Sequence, residues 1–373
     1  MHCAPNEPLP MDASVRQLFA PLAEFLEIPG ITEIAINRPG EVFFEAGPLW
    51  QFRAMPALTL QRCHSLATAI ASYGNQRIDQ HAPLLCTQLP GLERIQIAVP
   101  PAVEDHTVSM TIRIPDASTR ELDAYQQQGF FDHYQWARPA GLAAHRDQLD
   151  PVQRELLACL EQRRLAQFLK TAIRHKLNLV FVGDTGCGKT SLMKAACHYI
   201  PADERLITIE DVRELFLPRH PNRVHMLYNK GDQGTATITP AELIASCMRM
   251  KPDRVLLAEL RGSEAFDFLK LLTTGHSGAI SSFHAESCAL ALERYVFMCK
   301  EHPQAAIYDT DALKRLVALT IDIILHIRVR RVYADDGTPL RKERYVSEVS
   351  YDPVAKLRER TGAVQPPHAG GQP

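Results

Sequence analysis

The chain has 373 residues, 46% of them apolar and 23% charged, with a formal net charge of −2. That composition is ordinary for a globular protein, and the length suits two domains. The near-neutral balance excludes a global field drawing the molecule to nucleic acid or anionic lipid, and no apolar run reaches the ~18 residues of a transmembrane helix.

Residues 1–10 carry three prolines and read as a loose leader, without the basic region and apolar core of a secretory signal. Val15, Leu18, Phe19, Leu22, Phe25 and Leu26 recur at helical spacing and make one apolar stripe. The stripe is read as packing on its own domain; a membrane or partner surface is the alternative, with few basic residues to hold headgroups. Stretches 31–37, 41–45 and 49–53 read as strands punctuated by Pro39-Gly40 and Gly47-Pro48, followed by a helix over 60–73 and strands at 94–99 and 108–114. This is an α+β domain over 1–130. Residues 131–150, punctuated by Pro139 and Gly141, read as a linker that is helical in part. From Val152 helices and apolar strands alternate, with strands expected at 177–182, 206–209, 255–258, 279–283 and 321–328. That alternation indicates an α/β domain over 151–350 with a mostly parallel sheet. Residues 351–373 form a tail, disordered in its Pro- and Gly-rich end from 361. Nine cysteines without a C-x-x-C pair point to reduced thiols and a cytosolic setting.

Gly183-Asp184-Thr185-Gly186-Cys187-Gly188-Lys189-Thr190 matches G-x-x-x-x-G-K-[ST], between an expected strand and a helix over 190–200 that Pro201 stops. In that setting backbone N–H groups and the helix N-terminus face phosphates. Lys189 would reach the β- and γ-phosphates of ATP and the Thr190 hydroxyl would ligate Mg²⁺, with Ser191 completing the binding set. Cys187 lies beside a helix N-terminus and Lys189, a setting that eases thiol ionisation, but an inert small side chain is the favoured reading and the reactive thiol the alternative. A reactive thiol there predicts that alkylation blocks nucleotide binding and that ATP protects.

Three further sites follow. Glu210 and Glu214 end an apolar run, and strand C-termini share the rim of the phosphate loop. A carboxylate there can orient and deprotonate water. Glu259 closes a second apolar strand resembling a Walker B strand, except that Ala258 stands where many such strands carry Asp. Glu259 then serves the water shell of Mg²⁺, the attacking water, or both, and Glu210 and Glu214 stay open as separate base candidates. His284 ends a third strand, where a neutral imidazole could hydrogen-bond the γ-phosphate. No Cys/His spacing around it makes a metal set.

Taken in order, GDTGCGKT, ITIEDVREL, RMKPDRVLLAELRG and TGHSGAISSFHA resemble the Walker A, acidic, Walker B-like and histidine boxes of the secretion (traffic) ATPase superfamily. ITEIAINRPGEVF and TIRIP look like the N-terminal domain of the traffic ATPases of VirB-type type IV secretion systems, so the resemblance covers residues 15–330. It implies an N-terminal α+β domain before a RecA-like ATPase domain. It also implies a homohexameric ring that hydrolyses ATP with Mg²⁺, peripheral at the cytoplasmic face of the bacterial inner membrane. The ring would drive substrate translocation or pilus biogenesis beside inner-membrane components and other ATPases of the apparatus. Nucleotide would lie between the domains, with arginines of the N-terminal side approaching the γ-phosphate: Arg113 in TIRIP first, Arg120 next. A type IV pilus or type II secretion-like assembly or retraction ATPase is the alternative, although the four-cysteine module of the type II enzymes is missing; an ATP-gated scaffold with slow turnover is another. A helicase is disfavoured, and no sequence-specific nucleic-acid binding is expected, because no basic stripe interleaves with aromatics. Arg328, Arg330, Arg331, Arg341, Lys342 and Arg344 are read as a solvated or partner-facing surface.

Overall fold

In a computed structural model of the chain, residues 10–115, 120–228 and 238–361 are described. The leader at 1–9 and the tail beyond 361 lie outside them.

The first half is built from strands with one apolar face. In β1 (Ile31–Ile36), β2 (Glu41–Ala46), β3 (Trp50–Ala54), β4 (Leu84–Gln88), β5 (Arg94–Ala98) and β6 (Ser109–Arg113), Ile34, Val42, Phe44, Leu85, Ile95, Ile97, Met110 and Ile112 are buried. The strands pair antiparallel in the order β3-β2-β1-β6-β5-β4. Period-2 alternation puts Glu33, Arg94, Gln96, Thr111 and Arg113 on the opposite face, which ends in the aromatic Phe43–Phe52 contact between β2 and β3. The helix Leu60–Tyr73 covers the apolar face with Cys63, Leu66, Ala67, Ile70 and Ala71, and its first turn is fixed by Thr59, whose hydroxyl accepts from Arg62 N. Val15, Phe19, Leu22 and Phe25 are buried in the same core, with Leu18 and Leu26 packed against it. The apolar stripe is therefore spent inside its own domain and offers no continuous face to a membrane.

The second sheet has eight strands in the order β10-β9-β11-β12-β8-β13-β14-β7, from β7 (Gln135–Trp136), β8 (Leu179–Gly183), β9 (Leu206–Glu210), β10 (Arg223–Leu227), β11 (Arg254–Leu257), β12 (Ile280–Phe283), β13 (Ile323–Tyr333) and β14 (Pro339–Ser350). All neighbours pair parallel except β13 with β14. Every residue of β8, β9, β11 and β12 is buried. Leu179 and Phe181 enter one apolar cluster and Val180 and Val182 the other, as a sheet covered on both faces requires.

Four strands escaped the sequence reading: β4, β7, β10 and β14. β13 also runs five residues past its expected end, because its outer half pairs with the polar β14 rather than packing in a core. The segment read as a linker contributes Phe131, Tyr134, Leu142 and Leu149 to the core of the eight-stranded sheet, and Leu122, Tyr125 and Phe130 join them. The chain thus enters the second core before residue 130. At the other end the helix Pro353–Thr361 takes up the start of the expected tail, with Val354 buried.

Candidate active site

The phosphate loop is shaped by glycine. Gly183 closes β8 at φ +146°, where a Cβ would lie 2.2 Å from the Ile327 carbonyl oxygen, so no side chain fits. Gly188 takes φ +101° and starts the helix Lys189–Cys197. Lys189 is buried, and its Nζ donates to the carbonyls of Gly183 (2.8 Å) and Asp184 (2.9 Å). Burial lowers its pKa. Thr190 and Ser191 are half-buried in the first turn, while Asp184, Thr185 and Gly186 are exposed. Cys187 is fully buried and burial raises its pKa. The low dielectric outweighs Lys189, which leaves the side chain on the inert side of the two readings.

Parallel register brings the ends of β9, β11 and β12 to the same edge. His284, one residue past β12, places Nδ1 3.1 Å from the Gly183 carbonyl and 3.4 Å from Lys189 Nζ, and Nε2 3.0 Å from Glu259 Oε1. If Nδ1–H donates to the Gly183 carbonyl, the Nε2–Glu259 contact needs a second proton, carried by an imidazolium or by a protonated Glu259. Burial raises the Glu259 pKa, and the His284 charge opposes this rise. Arg261 donates to Glu259 Oε2 (2.6 Å) and pairs with Asp211 (3.0 Å).

Glu210 faces away from this chemistry. Its side chain is fully buried; Oε2 accepts from the backbone N–H of Glu214 (2.7 Å) and Leu215 (2.8 Å), and Oε1 from the Thr208 hydroxyl (2.7 Å). Those bonds fold the loop after β9. Glu214 lies 3.8 Å from Arg94.

The N-terminal sheet meets this edge through one row of residues. Glu45, Glu33, Arg113 and Arg94 are successive cross-strand partners on β2, β1, β6 and β5, so all four share a face. Arg113 donates to Glu33 (2.8 Å), and its charge is among those bearing on Lys189. Arg94 crosses further: its Nη2 donates to Asp211 Oδ2 at 2.7 Å, with the side chains 22% and 11% exposed. Burial opposes the Arg94 charge, and Asp211, Cys86 and Glu214 together more than offset this, holding the pKa above its ordinary value. Arg120 is exposed and donates to Gln128 (3.4 Å), beside the helix Leu122–Gln127 of the second core.

Residues 152–336 match the family of type II/IV secretion system proteins. The chain is 44% identical over 346 residues to the type IV secretion system protein VirB11 of Brucella suis, covering 92% of each. It is 41% identical over 343 residues to the type IV secretion system protein PtlH of Bordetella pertussis, covering 88% of this chain and 97% of that one. The chain belongs to the VirB11 family of type IV secretion system ATPases. The crystal structure of the Brucella suis VirB11 ATPase in complex with sulphate is 45% identical, with TM-score 0.50 over 92% of this chain and 99% of that one. The pilus retraction motor PilT with bound ADP shares the fold alone, at 16% identity and TM-score 0.56 over 93% and 87% of the two chains.

As a VirB11-family ATPase the chain binds nucleotide and hydrolyses ATP. The sequence reading missed Arg94, Asp211 and Arg344. Arg94 could have been found from its register opposite Arg113, had the pairing of the two expected strands been worked out. Asp211 lay inside the acidic box but was passed over for its glutamate neighbours. Arg344, read as part of a solvated or partner-facing surface, is exposed and donates from Nε to the Gly186 carbonyl (3.0 Å).

Proposed function

We propose that this ATPase works as a homohexameric ring at the inner face of the inner membrane, where ATP binding closes the N-terminal sheet on the ATPase core and hydrolysis reopens it. The motion drives substrate translocation or pilus biogenesis, alongside inner-membrane components and other ATPases of the secretion apparatus. Among the described residues no helix is long and apolar enough to cross a membrane, which suits a peripheral seat held by partners. The N-terminal domain closes near residue 115, since the chain from Leu122 packs with the ATPase core.

The observation that carries this reading is the Arg94–Asp211 contact between the two sheets, beside Glu259, His284 and Lys189. Lys189 leaves the Gly183 and Asp184 carbonyls for the β- and γ-phosphates. Glu259, half-buried and touching His284, orients the attacking water and takes its proton, and His284 reports the γ-phosphate back to the loop through Gly183. Glu214 is engaged by Arg94 and Glu210 is spent on backbone N–H groups, so Glu259 is the base. Arg94 and Arg113 swing from their carboxylates to the γ-phosphate on closure, a neutralisation that couples chemistry to domain motion.

The oxygen donors at Thr190 and Glu259 suit Mg²⁺, which keeps much of its water and rarely uses a protein-only cage; no such His/Cys/Asp/Glu cage occurs among the described residues. Held by the Thr190 hydroxyl and, through water, by Glu259, it would neutralise phosphate charge. No sequence-specific nucleic-acid contact is needed. Glu259→Gln tests the motor: it should bind ATP, hydrolyse it at least ~10²-fold more slowly and lose secretion. Secretion at the wild-type level with hydrolysis abolished would leave an ATP-gated scaffold as the better reading.

A further inference from the structure

The charged row on the N-terminal sheet has a second end. Glu45, its last member, pairs with Lys342 of β14, and the two side chains are 13% and 20% exposed. Arg330–Glu343 in the same hairpin is 51% and 31% exposed, so solvent screens it far more. Lys342 and Arg344 are two residues apart in an unbroken stretch of the β13–β14 register, opposite Arg331 and Val329, so their side chains leave the same face. Lys342 therefore holds the N-terminal sheet while Arg344 holds the phosphate loop.

The grip on the loop is specific. Arg344 Nε donates to the Gly186 carbonyl at 3.0 Å, and its Cδ lies 3.6 Å from where a Cβ on Gly188 would stand. Across a trans peptide the C=O of Gly186 and the N–H of Cys187 point in opposite directions. Drawing the carbonyl toward β14 turns the Cys187 N–H into the loop, where it makes a long 3.4 Å bond to the Asp184 carbonyl. That weak bond is easily exchanged for a phosphate oxygen.

We infer that Arg344 is a positioning residue for the phosphate loop and that the Glu45–Lys342 pair sets it, so that the seating of the N-terminal sheet tunes nucleotide affinity through β14. This path is distinct from the γ-phosphate contact of Arg94 and Arg113. It rests on the phosphate loop being the nucleotide site, and ADP, which lacks the γ-phosphate, tests it alone.

The experiment is ADP binding by calorimetry to the full chain, with melting curves confirming that each variant folds. Arg344→Ala should weaken ADP about tenfold, and Arg344→Lys should recover part of that loss. Glu45→Ala and Lys342→Ala should each weaken ADP about threefold, the pair together no more than either alone, and Glu45→Ala should add nothing in the Arg344→Ala background. The swap Glu45→Lys with Lys342→Glu should restore affinity. Unchanged ADP affinity in Glu45→Ala, or additivity of Glu45→Ala with Arg344→Ala, overturns the inference. Loss of all ADP binding only in Lys189→Ala, with every other variant at the wild-type value, would leave the nucleotide site standing and this path refuted.

Discussion

Arg94→Ala attacks the contact that joins the two sheets at the catalytic edge. Arg94 and Asp211 are mostly out of solvent, at 22% and 11% exposed and 2.7 Å apart, so the pair keeps more of its strength than a surface bridge. A hydrogen bond between charged groups contributes about 1.5–3 kcal/mol. Arg261 remains 3.0 Å from Asp211 after the substitution, so the acid keeps a cation and the loss falls near the lower figure. About 1.4 kcal/mol is tenfold, so the seat of the N-terminal sheet loosens by about that factor. The effect on chemistry is larger, because a cation delivered to the transferring phosphoryl group contributes about 10³–10⁵ in kcat. Phosphate release at saturating ATP should therefore fall about 10³-fold, while ADP affinity moves by no more than about tenfold. A kcat within about tenfold of wild type refutes the role given to Arg94, whatever happens to stability.

Two further outcomes separate structural from chemical roles. Cys187, fully buried with a raised pKa, should stay unlabelled by a maleimide in the native protein, with or without ATP, as read by peptide mass; rapid labelling that ATP prevents would restore the reactive-thiol reading. Glu210→Gln should cost about 1.5–3 kcal/mol by weakening the charged acceptor of two backbone N–H groups, lowering Tm by about 3–10 °C; an unchanged Tm with kcat abolished would make Glu210 the base after all.

The catalytic edge was legible because β8, β9, β11 and β12 are buried on both faces and read as short apolar runs. Each ends beside a glycine loop, an acid or a histidine, and parallel pairing carries those ends to one rim. What stayed hidden depends on partners. β14 is charged throughout Arg341–Arg344 and is a strand there because β13 lies beside it. Phe130, Phe131 and Tyr134 show no periodicity, yet fill the core behind the ATPase sheet. Glu210 and Glu259 look alike as acids near strand ends; only the backbone N–H groups of Glu214 and Leu215 show that the first is already spent. Arg94 gained its place from its register opposite Arg113, which no local pattern records.

The most direct measurement is Mg-ATP turnover by the purified chain, read together with its mass in solution, for wild type and Lys189→Ala. Turnover that vanishes in Lys189→Ala, from a wild-type particle with the mass of six chains, is the predicted result. Equal turnover in the two proteins, or full turnover from a single chain, would contradict a ring ATPase working through this phosphate loop.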